Sequence, residues 1–450
     1  MSEVQPEKPN RLQAIEVLTA PGEPFELTDG QVWGRDCRIF KNAPATLRDL
    51  FDSTRSDETF LVYQDERYSF EETWQRTSQI AAILINDYGV VKGDRVAISM
   101  RNYPEWTMAF NAITSIGAVA VAMNALWLSH ELQYGLENSG SKVLLADQER
   151  VDRLVPILDS LAVSVIAVRP TEALPAGVAD LAHLLAACAV TDMPQVPLDP
   201  NDPATILYTS GSTGYPKGAV SCHRNIITAL MSWELEGQIA ALISGVTPPV
   251  PDYQAATLLG VPLFHATGLL AVLMMSYRSQ RKMICMYKWD VQLAMVLIEQ
   301  ERVSSFVAPA AMTGDLVNAA GQSNRDLSTL AMVGGGGAPR APEQVKRISQ
   351  SFGNALPNTG WGMTETSPLG STYAPHPDTD LDDYEATVPH KLLAGRRIYG
   401  VEMRIVDDEG NVLPADGEAT GHLHVRGPWV ASGYFKGAGS DAREAAKSLG

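Results

Sequence analysis

Cysteine is scarce in this chain. There are four in 450 residues, Cys37, Cys188, Cys222 and Cys285, and no two have CxxC spacing. That count and spacing exclude a disulfide scaffold and a paired-cysteine metal or redox motif, and lead to the expectation of reduced thiols in a cytoplasmic protein. Basic charge is also in deficit: 35 Lys plus Arg stand against 52 Asp plus Glu, a formal net charge of −17. Without surplus cations to displace counterions, nucleic acid is excluded as a non-specific partner, and an anionic membrane surface is disfavoured for the same reason. Residues 1–11 lack the apolar segment of a secretory signal. Unbroken apolar runs of membrane length are missing too. Residues 255–275 hold only His265 as an ionisable group, but Gly260, Pro262 and Gly268 interrupt them. They are predicted as a buried strand, a loop around His265 and a core helix, and no stable membrane span is expected.

What is present is a globular composition, 45% hydrophobic and 19% charged. The length suits about two or three domains of roughly 150 residues each. Helical and strand-like periods alternate: residues 71–88, 104–116 and 130–138 read as helices, and 95–100, 117–123 and 142–146 as strands. This alternation predicts the α/β class, with mainly parallel sheets covered by helices. Six prolines between residues 170 and 203 mark a boundary. From about residue 392 the pattern changes to short strands, 403–406 and 421–426, around the turn Asp407-Asp408-Glu409-Gly410. The expected organisation is two stacked α/β lobes, residues 1–190 and 191–385, followed by a small antiparallel β-barrel-like unit at 386–450.

The strongest chemical signal is Tyr208-Thr209-Ser210-Gly211-Ser212-Thr213-Gly214-Tyr215-Pro216-Lys217-Gly218, directly after a strand-like stretch. Its glycines let the backbone approach a ligand, its hydroxyls donate hydrogen bonds and Lys217 adds charge, a combination suited to a polyphosphate. It is not a Walker A loop, because Lys217 is followed by glycine rather than Ser or Thr, and GxGxxG is not matched.

This loop resembles the phosphate loop of the acyl-adenylate-forming superfamily, which includes acyl-CoA synthetases, luciferases and peptide-synthetase adenylation domains. Four further stretches resemble that superfamily's motifs in the same order: Pro262-Leu263-Phe264-His265-Ala266-Thr267-Gly268, Gly334-Gly335-Gly336-Gly337-Ala338-Pro339, Gly360-Trp361-Gly362-Met363-Thr364-Glu365, and Gly427-Pro428 with Gly433-Tyr434. The resemblance spans residues 47–436. It implies the superfamily's large N-terminal domain and an ATP-dependent activation of a hydrophobic carboxylic acid to an acyl-adenylate, with release of pyrophosphate and later transfer to coenzyme A.

The resemblance also implies roles. Glu365 becomes the magnesium ligand, and Thr364 a hydrogen-bond partner of the α-phosphate. Thr209, Ser210, Gly211, Ser212, Thr213, Gly214 and Lys217 hold the phosphates. Gly336, Gly337, Ala338, Pro339, Trp361, Gly362 and Met363 border the nucleotide, with Trp361 offering its face to the adenine. Trp233, Phe264, His265, Thr267, Gly268 and Gly335 are assigned to the acyl pocket. His265 is counted with the catalytic set as a gate and not as a base, because a carboxylate at neutral pH is already ionised. The implied cofactors and partners are ATP, Mg2+, coenzyme A and a small carboxylic acid, with a homodimer left open. The superfamily's ribose-binding aspartate and its small domain with a catalytic lysine do not follow Gly433-Tyr434 here, so poor turnover is expected of this chain alone. Adenylation feeding amide or ester synthesis, and a non-catalytic domain that holds acyl-adenylate, are the alternatives. An amino-acid substrate is less favoured, since nothing marks Asp252 as an amine ligand.

Overall fold

The computed structural model describes residues 8–209, 215–245, 251–336, 342–352, 356–372 and 395–436. Two large sheets organise them. The first has eight strands, in the order Gly433–Tyr434, Lys217–Cys222, Pro203–Thr209, Val119–Ala122, Arg95–Ser99, Val143–Asp147, Ser164–Val168, Ala179–Asp180. From Pro203–Thr209 onward every neighbouring pair is parallel. Val119–Ala122 and Val143–Asp147 are buried along their whole length, as expected of parallel strands covered on both faces.

The second sheet has nine strands. Six are mutually parallel, in the order Leu356–Trp361, Met332–Gly335, Ser305–Val307, Ala256–Leu259, Lys282–Cys285, Thr59–Tyr63. The sheets do not follow a linear cut of the chain. Thr59–Tyr63 lies early in the sequence but belongs to the second sheet, while Pro203–Thr209 and Lys217–Cys222 lie beyond residue 191 but complete the first. Beyond residue 400 the chain forms an antiparallel pair, Glu402–Val406 with His422–Arg426.

The helices follow from local chemistry. Phe70–Asn86 begins at a capping box in which the Ser69 hydroxyl accepts from the Glu72 amide while Glu72 accepts from the Ser69 amide. Pro104–Ser115 starts with proline in its first turn and is buried almost throughout. The 255–275 stretch resolves into the strand Ala256–Leu259, a loop and a π-helix, Thr267–Met274. Among the described residues one helix, His223–Ser244, is long and apolar enough to cross a membrane, and 56% of its most apolar window is buried inside the molecule. Ion pairs from Arg11 to Glu236 and from Arg278 to Glu234 tie that helix to the rest of the fold. The short helix Leu181–Ala187 follows directly on residues 179–180, which pair with the sheet edge.

Candidate functional site

Three of the five motifs lie along the carboxyl edge of the second sheet, and the phosphate loop and Gly433-Tyr434 belong to the first. Ala256–Leu259, Ser305–Val307, Met332–Gly335 and Leu356–Trp361 are adjacent and parallel, so their C-terminal ends share one side. That edge is where open α/β sheets bind ligands. Phe264 and His265 follow the first of these strands, Gly335 and Gly336 end or follow the third, and Trp361 ends the fourth.

Phe264 is buried, and its ring lies 4.7 Å from that of His265. His265 is itself exposed, yet enough protein surrounds the ring to push its pKa below the ordinary value. It is therefore neutral at pH 7, as suits a gate and not a charged clamp. The loop is fixed from the other sheet: Asn102, after strand Arg95–Ser99, donates to the Val261 carbonyl at 3.0 Å and accepts from the Leu263 amide at 2.9 Å. Sequence reasoning missed Asn102, because a contact 159 residues away leaves no local trace.

Thr267 is half-buried at the start of the π-helix. A Cβ on Gly268 would sit 2.2 Å from the Pro262 carbonyl oxygen, so the loop's own return path demands glycine there. Gly335 has φ near 147°, and its missing side chain makes room for the Ala308 carbonyl, 2.0 Å from where a Cβ would stand. Trp361 is half-buried with part of its ring against Gly370 and the small cluster around Trp429, so some of the face assigned to adenine is committed to packing. Trp233 is half-buried between the main core and that same cluster. Gly362 packs against the Pro368 backbone, Met363 is exposed and Thr364 is half-buried.

The phosphate-loop segment is a hairpin whose last described pair is Thr209 with Lys217. The Thr209 hydroxyl donates to the Lys217 carbonyl at 3.3 Å, and the Lys217 side chain is exposed. Tyr215 stacks on Tyr134 at 4.6 Å. Ser210, Gly211, Ser212, Thr213 and Gly214 lie outside the described residues, as do Gly337, Ala338 and Pro339.

Glu365 occupies the short 3-10 turn Thr364–Thr366. It is 5% exposed, its backbone carbonyl accepts from the Ala431 amide at 2.7 Å, and its Oε1 accepts from the Tyr434 hydroxyl at 2.5 Å. Among the described residues no cation forms an ion pair with it, and Oε2 has no hydrogen-bond donor. A buried carboxylate without a cation is costly, so this one suits a positive charge brought from outside. Mg2+ fits: it takes one or two carboxylates plus phosphate oxygens. Among the described residues no group of three or more His, Cys, Asp or Glu is placed to hold a metal ion. The Lys217 ammonium lies 5.5 Å over the Tyr434 ring, so the phosphate-loop and Glu365 motifs are joined through this tyrosine. Phe264 and His265 make no hydrogen bond, ion pair or ring contact with either Lys217 or Glu365.

A family model described as AMP-binding enzyme matches residues 51–435. The chain belongs to this family. Among the family's curated relatives, 4-coumarate–CoA ligase 2 of Oryza sativa subsp. japonica is 28% identical over 390 residues, covering 82% of this chain and 64% of the rice protein. 4-coumarate–CoA ligase 1 of Arabidopsis thaliana is 27% identical over 379 residues, with 82% of this chain and 64% of the relative covered. The chain thus spans under two-thirds of these relatives' length. Among solved structures, the o-succinylbenzoate CoA synthetase of Bacillus subtilis in complex with its acyl-adenylate intermediate superposes with a TM-score of 0.70 at 25% identity, covering 88% of this chain and 72% of that one. The mixed α/β fold with mainly parallel sheets is that of the adenylate-forming enzymes.

Proposed function

We propose that this chain binds ATP and a hydrophobic carboxylic acid and forms the acyl-adenylate, which the whole enzyme passes to coenzyme A. The observation that carries this reading is Glu365, a buried carboxylate with no cation among the described residues, linked through Tyr434 to Lys217 at the foot of the Ser/Thr/Gly loop.

In the reaction a carboxylate oxygen of the acid attacks the α-phosphorus of ATP. The bond from that phosphorus to the bridging oxygen breaks, and pyrophosphate leaves with the electron pair. Two anions must be brought together, so positioning and fixed positive charge supply most of the catalysis. Lys217 and the loop hydroxyls hold the phosphates, and Thr364 donates to the α-phosphate. Glu365 would hold Mg2+, which would supply positive charge to neutralise the phosphates. No proton is removed from the acid, consistent with a neutral His265 acting as a gate between the nucleotide and acyl sides. Trp361 borders the adenine, and Phe264, Thr267, Gly335 and Trp233 border the acyl group.

An amino-acid substrate is disfavoured because Asp252 is a surface residue facing Arg302 at 3.6 Å. The four cysteines are free, which supports a reducing, cytoplasmic setting. The test is stabilisation of the chain by non-hydrolysable acyl-adenylate analogues. Aryl-propenoyl analogues come first, because the plant relatives are 4-coumarate ligases, then fatty and steroidal ones. A shift in the thermal midpoint for one acyl class identifies the substrate; no shift with any analogue contradicts the reading.

A further inference from the structure

We propose that Tyr434 is the positioning residue of the metal site: its hydroxyl holds Glu365 by one oxygen so that the other is presented to the divalent cation of metal–ATP. This rests on the reading of Glu365 as the metal ligand.

Each end of the contact is anchored in a different motif. Tyr434 sits in the edge strand Gly433–Tyr434, which pairs antiparallel with Lys217–Cys222, register Ala219 opposite Tyr434. The Phe435 amide donates to Gly218 and the Ser432 amide to Val220, at 2.8 and 2.9 Å. The ring is thereby fixed to the strand that leaves the phosphate loop, with the Lys217 ammonium above it. Glu365 is fixed by its turn and by the Ala431 amide, three residues before Tyr434. The same short segment therefore holds the backbone of Glu365 and one of its carboxylate oxygens.

The chemistry favours an orienting role. A phenol is a neutral donor: it satisfies one carboxylate oxygen without cancelling the charge, as an arginine would. Partners that hold a metal's carboxylate ligand in orientation typically control metal affinity by 10–100-fold.

Tyr434→Phe removes the hydroxyl and keeps the ring under Lys217. The measurement is Mn2+ binding in the presence of ATP, read by loss of the free Mn2+ electron paramagnetic resonance signal, beside ATP binding in EDTA. Glu365→Gln is measured in parallel, with thermal midpoints to confirm folding. Expected results are a roughly tenfold or greater loss of Mn2+ affinity in Tyr434→Phe with unchanged ATP affinity in EDTA, and loss of the metal increment in Glu365→Gln. Wild-type Mn2+ affinity in Tyr434→Phe, with Glu365→Gln defective, overturns the role of Tyr434 alone. Equal loss of ATP affinity with and without metal in Tyr434→Phe also overturns it, since the hydroxyl would then serve the nucleotide or the local packing. A metal increment that survives Glu365→Gln, or that the wild type lacks, overturns the metal-ligand reading and this inference together.

Discussion

Two buried carboxylates in this molecule face the same physical problem and meet it in opposite ways. Asp147 ends a central strand of the first sheet at 3% exposure, and Arg150, fully buried, binds both its oxygens at 3.0 and 3.1 Å. The same carboxylate accepts the Arg101 amide at 3.0 Å, and the Arg150 Nε donates to the Ala125 carbonyl at 2.7 Å. These contacts join the ends of three neighbouring strands at the crevice where a doubly wound sheet can take a ligand. There the first sheet sets a cation of its own against the carboxylate. Glu365 is similarly buried, but among the described residues its carboxylate meets only the phenol of Tyr434. At Asp147 the counter-charge is part of the fold; at Glu365, on the reading proposed above, it comes with the ligand.

The largest effect should come from breaking the Asp147–Arg150 pair. Asp147→Ala leaves Arg150 buried without its main counter-charge and should lower unfolding free energy by about 3–5 kcal/mol, read from the denaturant midpoint. A third buried ionisable group sharpens the contrast by being neutral. His223 is fully buried, its Nδ1 accepting from the Leu47 amide at 3.1 Å. Burial pushes its pKa down from 6.5 to about 4. Between those values the unfolded chain takes up a proton that the folded chain refuses. Stability present above pH 6.5 should therefore fall by about 3 kcal/mol as pH drops towards 4 and level off below. His223→Gln should flatten that part of a pH–stability profile.

Asn102→Ala should cost about 2 kcal/mol, because it strands the Val261 carbonyl and Leu263 amide, and should loosen the Phe264–His265 loop in hydrogen exchange. The smallest stability effect should be at Glu365. Glu365→Gln removes a buried charge that no cation pairs among the described residues while keeping shape, and should leave the free chain within about 1 kcal/mol of wild type or more stable. A loss as large as that of Asp147→Ala would erase the distinction between the two sites.

The contrast also shows what a sequence can carry. The Ser/Thr/Gly loop, Phe264-His265, the glycine run and Thr364-Glu365 are legible because each packs its chemistry into a few consecutive residues. Alternating helix and strand periods reveal parallel sheets for the same local reason. Which strand joins which sheet is not local: Thr59–Tyr63 and Val143–Asp147 read alike as short apolar runs, yet they belong to different sheets. Tyr434 touches Glu365 across 69 residues of chain, and in sequence it is simply the second residue of a Gly-Tyr pair. Asn102 is similarly silent until the sheets come together.

The most direct test is the stabilisation of wild-type and Glu365→Gln chains by ATP, each with Mg2+ and with EDTA. Ligand that binds only the folded state adds about 2.7 kcal/mol at a hundredfold excess over Kd. If Glu365 awaits a metal-bearing nucleotide, the wild type gains more stability from ATP with Mg2+ than with EDTA, and Glu365→Gln gains the same from both. An equal magnesium-dependent gain in the two chains would contradict it.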